Sequence, residues 1–238
     1  MKMQAQRGTR RLLAPPSLSG RPMLENVVFP LYSSVALDNT VIPAELNFFG
    51  YAKGQNVPGA GDGSATPSTL WHTNMETPGA LAQPKVFTVS GIRICIAPFT
   101  IGASNSPALS DVSFGAANID QDLFEDVALF LWSTVLRFVV GPKVYAHHPS
   151  WFFPANVGIG GLSGVGTDNG TAATITQANC VAPHGVGKYF GLPTYPVVIA
   201  AQQSFSVQIG ATWATNPTIN EDRIVHVFLD GTMSREVS

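Results

Sequence analysis

An all-β sandwich or barrel is the fold class this sequence predicts, on three observations. Two alternating strands close the chain. Gln203-Ser204-Phe205-Ser206-Val207-Gln208-Ile209 puts Phe205, Val207 and Ile209 on one face, and Arg223-Ile224-Val225-His226-Val227-Phe228-Leu229 follows it. The body before them is punctuated by Gly and Pro, 23 and 18 residues respectively. Only one stretch, residues 118–132, has convincing helical periodicity.

The elements follow in order. Residues 1–23 lack periodicity, and Pro15-Pro16 favours an extended path, so they read as a flexible arm. Residues 26–35 form the first strand, in which Pro30 demands an edge position or a bend. Residues 46–51 form the second. Residues 53–84 are a long insertion in which Trp71, Met75 and Leu81 predict packing on the chain's own body or on a neighbour. Residues 86–96 are the strongest strand. Phe87 and Val89 share one parity, and Ile92, Ile94 and Ile96 share the other; the switch at Ser90-Gly91 predicts a β-bulge that bends the strand round a corner. In the helix, Asn118 or Asp120 is the cap. Asp120, Asp122, Glu125 and Asp126 complement the dipole, and Ile119, Leu123, Val127 and Leu131 make the apolar face. Residues 134–140 and 143–147 form a strand pair around Gly141-Pro142, and residues 155–187 read as an exposed loop. Residues 195–200 lead into the closing pair, whose strands are joined by a polar crossing over 215–222. Asp230-Gly231 ends the last strand in a tight turn, leaving a tail too short for another element that reaches toward a subunit boundary.

At 238 residues the chain suffices for one large β domain. Charged residues make up 12%, about half the usual share, against 45% hydrophobic. Such a surface predicts contact with other subunits, the alternative being a covering of Ser, Thr, Asn, Gln and Gly. Charge is uneven. Lys2, Arg7, Arg10, Arg11 and Arg21 give +5 over residues 1–23, with no acid, whereas the whole chain is −2. Lys2, Arg7, Arg10 and Arg11 are therefore the candidates for contact with nucleic acid or a neighbouring subunit, although no aromatic between them offers base stacking. Cys95 reads as a small buried residue and Cys180 as a loop residue, so no disulfide scaffold is predicted. The longest apolar run, 127–132, is too short to span a bilayer, and Pro15-Pro16 interrupts any signal-peptide core.

The search for chemistry yields little. The five histidines, His72, His147, His148, His184 and His226, include no zinc-binding helical pair. His226 reads as a surface or interface residue, and His147 and His148 point to opposite sides of a strand. The acidic group at 120–126 lacks the ligand alternation of a calcium loop. Glycines 158, 160, 161 and 164 match neither a nucleotide-binding loop nor a nucleophile elbow. Asn169-Gly170-Thr171 is a formal glycosylation sequon, read as chance.

A basic arm, roughly eight strands of uneven length, long loops and one mid-chain helix, closed by Tyr195-Pro196-Val197-Val198-Ile199, residues 203–209 and residues 223–231, make a layout that resembles the jelly-roll coat proteins of tailless icosahedral viruses, in particular those of bacteria. The resemblance covers about residues 24–231 and rests on architecture. It implies a single jelly-roll sandwich over 24–238, of two facing four-stranded antiparallel sheets with long loops and one short helix, behind an arm over 1–23. It further implies self-assembly into an icosahedral capsid enclosing the viral genome. Expected partners are copies of the chain, other virion proteins, and the genome or an inner membrane through the arm. The expected location is the virion, after synthesis in the host cytoplasm. No enzymatic activity, catalytic residue, cofactor or metal is expected. The rivals are a phage spike or receptor-binding protein, a carbohydrate-binding or TNF-like sandwich using Trp71, Trp132, Trp151 and Trp213, and a cupin-like enzyme.

Overall fold

A computed structural model describes residues 23–39, 41–59, 67–98, 121–153, 190–191, 196–211 and 216–237. The strands are β1 (Met23–Val28), β2 (Leu31–Leu37), β3 (Leu46–Phe48), β4 (Val86–Pro98), β5 (Thr134–Val140), β6 (Lys143–Pro149), β7 (Phe190–Gly191), β8 (Val197–Ile199), β9 (Phe205–Ala211) and β10 (Arg223–Val237). The helix α1 spans Gln121–Ser133, and a 3-10 turn spans Ser150–Phe152.

These segments occupy eight columns in two antiparallel sheets. β1 and β2 lie end to end along one edge of β10, parted at Phe29-Pro30, so the proline sits where a lost donor does least harm. β4 pairs along the other edge of β10, and β8 and β7 lie along the far edge of β4. The second sheet runs β3–β9–β5–β6. Pairing is nested: the first column with the last, the second with the seventh, the third with the sixth, the fourth with the fifth. That is a long hairpin rolled into a sandwich, the jelly roll that the resemblance implied.

The two inner faces share one core. Val35, Phe87, Val89, Ile92, Ile94, Val225, Val227 and Leu229 come from the first sheet; Phe48, Leu136, Phe138, Val140, Val207 and Ile209 come from the second. Each fully buried side chain of this size contributes roughly 1.5–3 kcal/mol. Phe205, Val207 and Ile209 point inward as the alternation predicts. The bulge is also where the parity switch put it. Asp230 faces Gly91 and Gly231 faces Val89, leaving Ser90 unopposed. Arg93 grips Asp230 there with Nε at 2.6 Å and Nη2 at 2.8 Å, and lies over the Phe228 ring at 4.6 Å.

Three expectations need correction. Asp230-Gly231 does not end the last strand: β10 continues to Val237 between β1 and β4. Gly231 lets it pass, since a Cβ there would lie 2.0 Å from the Thr88 carbonyl oxygen, so the dipeptide serves close approach and not a turn. The second strand stops at Phe48, because Phe49 takes a left-handed φ of 67°. The helix buries Asp126 and Phe130, with Val127 and Leu131 only partly covered, so its buried face is one residue out of phase with the predicted one. The predicted cap residues Asn118 and Asp120 lie outside the described residues, as does the loop expected over 155–187.

The insertion after β3 does pack on its own body, with Met75 and Leu81 in the common core. No helix among the described residues is long and apolar enough to cross a membrane.

Candidate functional site

The feature that stands out on this fold is an aromatic surface beside an edge strand. Among the described residues β6 is the outer strand of the second sheet and pairs only with β5. Its alternation hides Ala146 and leaves Lys143, Val144, Tyr145, His147 and His148 exposed. Tyr145 is the extra residue of a second bulge, since Phe138 faces Ala146 and Val139 faces Val144. β6 leads directly into the 3-10 turn, which lies against α1. There Trp151 and Phe152 stack at 4.2 Å, and Trp132 from the end of the helix stacks on Trp151 at 6.0 Å. Trp132 is 66% exposed, Trp151 44% and Phe152 48%.

The residues beneath these rings are locked. Thr134 donates its hydroxyl to the Phe130 carbonyl at 2.7 Å and shares a hydrogen bond with Ser150 Oγ at 2.7 Å. The Ile94 amide donates to the Phe153 carbonyl at 3.0 Å, and the Phe153 ring is buried. Helix, turn and both sheets thus fix the frame from which three large rings project. Large aromatics on a rigid frame lose little side-chain entropy on contact, which is why Trp and Tyr dominate energetic centres of protein interfaces.

The helix is itself pinned by a pair that the sequence reading missed. Asp126, 0% exposed, accepts from Arg223 Nε at 2.9 Å, from the Asn220 amide at 2.7 Å and from the Glu221 amide at 3.3 Å. Arg223, 1% exposed, also meets Glu221 at 3.0 Å. The carboxylate assigned to the helix dipole is instead a buried anchor between α1 and the start of β10. Its signal was faint: an acid four residues before Phe130, and an arginine opening an apolar strand.

A second misreading concerns His226. It points to the outer side of the first sheet, yet it is 7% exposed, because residues 50–59 and 67–77 pack on that side. Ser34 donates its hydroxyl to the His72 carbonyl at 2.7 Å, so His226 Nδ1 donates to Ser34 Oγ at 2.6 Å. Tyr51 donates to the Ser34 carbonyl at 2.7 Å. Burial, and then the neighbouring His72, push His226 down to about 4; burial also lowers His72. Burial pushes the Tyr51 phenol up to about 12 and the Cys95 thiol up to about 11. Ser34 and His226 look like a nucleophile and base by distance alone, but Ser34 is fully buried beneath the covering segment.

Elsewhere, a cavity of about 370 Å³ opens between the β1–β2 edge and residues 74–85. Val27, Leu31, Met75, Leu81 and Met233 line it, and Lys85 beside it is paired with Glu76 at 2.5 Å. Among the described residues no group of three His, Cys, Asp or Glu side chains is placed to hold a metal ion. The arm candidates Lys2, Arg7, Arg10 and Arg11 lie outside the described residues, with Cys180, His184, Trp213, the glycine-rich 158–164 stretch and the 169–171 sequon. No family model matches the chain, and no match was found among the curated proteins or the solved structures.

Proposed function

We propose that this chain is the coat subunit of a tailless icosahedral virus, in particular one infecting bacteria, and that copies of it assemble into a closed shell around the genome. The observation that carries the reading is the exposed stack of Trp132, Trp151 and Phe152, held rigid beside β6, the outer described strand of the second sheet. A surface of this kind, on a chain with only 12% charged residues, suits repeated contact with like surfaces. A shell needs only modest affinity at each contact, because every subunit makes several at once. The role is structural, with other copies as partners and the virion as its place of action. The N-terminal arm, with Lys2, Arg7, Arg10 and Arg11, is then the element that meets the genome, an inner membrane or a neighbour. Jelly rolls also serve as lectins and cupins, so the fold alone does not argue for a shell. The same stacked tryptophans favour a carbohydrate-binding module as the second reading.

The test is sedimentation velocity of the purified chain across salt and protein concentration, with electron microscopy of the sedimenting species. Closed particles or defined capsomers are expected. A monomer throughout, together with binding on a glycan array, transfers the assignment to the carbohydrate reading.

A further inference from the structure

We propose that the cavity between the β1–β2 edge and residues 74–85 is a binding site for a medium-chain fatty acid, with the alkyl chain along its apolar floor and the carboxylate at Lys85 and Arg235. The inference stands apart from the coat reading and holds for a monomer as well as for a shell.

The cavity is held open by backbone on both sides. Its floor is Leu31, Met75, Leu81 and Met233, none more than 8% exposed. One wall is β1 and the residues just after it. Val27 lies opposite Met233 in the β1–β10 register, and the Phe29 amide donates to the Gly231 carbonyl at 3.1 Å. The other wall, residues 74–85, is tied down along its length. Asn74 Oδ1 accepts from the Tyr32 amide at 2.9 Å, and Asn74 Nδ2 donates to the Pro30 carbonyl at 2.7 Å. Gly79 donates its amide to the Phe49 carbonyl at 2.7 Å and accepts from the Phe205 amide at 2.9 Å. The Leu81 carbonyl accepts from the Gln202 amide at 2.9 Å. Walls fixed in this way do not close on the space between them. The resulting 370 Å³ lies within the roughly 300–1,000 Å³ of small-molecule sites. An aliphatic and thioether floor gives water few partners, so hydrocarbon is the occupant it favours, and the two methionines adapt to its shape.

Charge gathers at one end. Val86 faces Ser234 in the β4–β10 register, so the next residues outward, Lys85 and Arg235, come together beyond Met233. The lining holds these two cations and one acid, Glu76. Lys85 pairs with Glu76 at 2.5 Å, and Arg235 pairs at 2.8 Å with Glu25, which lies outside the lining. The Glu76 side chain is 64% exposed against 28% for Lys85, so the acid is the partner free to turn out to water. Pairs this exposed contribute little, and exchanging one carboxylate for another costs correspondingly little. Residues 1–22, which lead into β1 at this end, contain no acidic side chain and bring no competing carboxylate. At the other end, Phe29 and Leu31 carry no charge. A chain that enters tail-first toward Leu31 therefore leaves its head at the cations, and the driving force is burial of its methylenes.

Equilibrium dialysis of the full chain against labelled octanoate, decanoate and decanol at neutral pH and low salt tests this, whatever the size of the assembly. Saturable binding of one decanoate per chain is expected. Affinity should rise roughly fifteenfold from octanoate to decanoate, about fourfold for each added methylene. Decanol should bind roughly threefold to fivefold more weakly than decanoate. Glu76→Gln releases Lys85 and should tighten decanoate while leaving decanol unchanged; Lys85→Gln should weaken decanoate alone. No saturable binding overturns the proposal, whether the cavity is then empty or filled by residues 1–22. Equal affinity for decanoate and decanol overturns the assignment of the head, and this comparison needs no variant. A decanoate with a photoreactive diazirine near its tail fixes the place. Cross-links to Phe29, Leu31 or Met75 are expected, and cross-links confined to the Trp132 and Trp151 surface overturn the proposal.

Discussion

Asp126 and Arg223 show how much of this fold can rest on one contact between elements distant in sequence. Both are buried, and the carboxylate also holds the Asn220 and Glu221 amides, so losing either partner strands a charge and loosens the turn before β10. Removing one member of such a pair costs about 3–5 kcal/mol, whereas replacing both by apolar groups of similar volume is often close to neutral. Asp126→Ala should therefore lower the free energy of unfolding in urea by that amount, and Arg223→Met similarly. The double variant should lose clearly less than the two single losses combined. Strict additivity would mean that the two side chains do not depend on each other. Nothing in the local sequence marks this pair. Helix periodicity ranks Asp126 as a polar interruption, and only the tertiary partner makes burial of that position tolerable.

The elements were legible to different degrees, for physical reasons. Alternation reports which residues share a side of a strand, and it located the inward-facing Phe205, Val207 and Ile209 as well as the bulge at Ser90-Gly91. It does not report what covers the other side. His226 was misplaced because the residues that bury it, Tyr51 and Trp71–His72 among them, are far from β10 in sequence. The last strand was cut short because Asp-Gly suits a turn, whereas here the missing Cβ serves contact with Thr88. The aromatic surface was half visible. Four tryptophans were evident, but the convergence of Trp132 and Trp151 depends on the packing of α1 against the 3-10 turn. This element carries its own prediction. Because Trp132 is mostly exposed and Trp151 about half so, Trp132→Ser combined with Trp151→Ser should leave the fold intact and lower stability by about 1–3 kcal/mol. The same variant should shift the sedimentation profile toward smaller species. Unchanged assembly, with folding intact, would assign the subunit contacts to another surface.

At the scale of the molecule, the proposed arm can be tested apart from the jelly roll. β1 begins at Met23, so deletion of residues 1–22 removes the clustered arginines and leaves every described strand in place. The truncated chain should unfold at the same urea concentration as the full chain, yet assemble differently or retain less nucleic acid in its particles. Loss of soluble folded protein would instead mean that the arm belongs to the domain.

The nested pairing also bears on how the chain comes off the ribosome. β10 stands in the middle of the first sheet, yet it comes last in chain order among the described strands, and its partner β1 comes first. Local hairpins such as β5–β6 can form early, whereas contacts between distant parts of a chain form slowly. Until residues 223–237 emerge, β4 and the β1–β2 strip have no strand between them, and their facing edges are open to pairing with other nascent chains. Emergence of residues 223–237 is therefore the moment at which this domain can close, and the nascent chain is most exposed to misassembly just before β10 arrives.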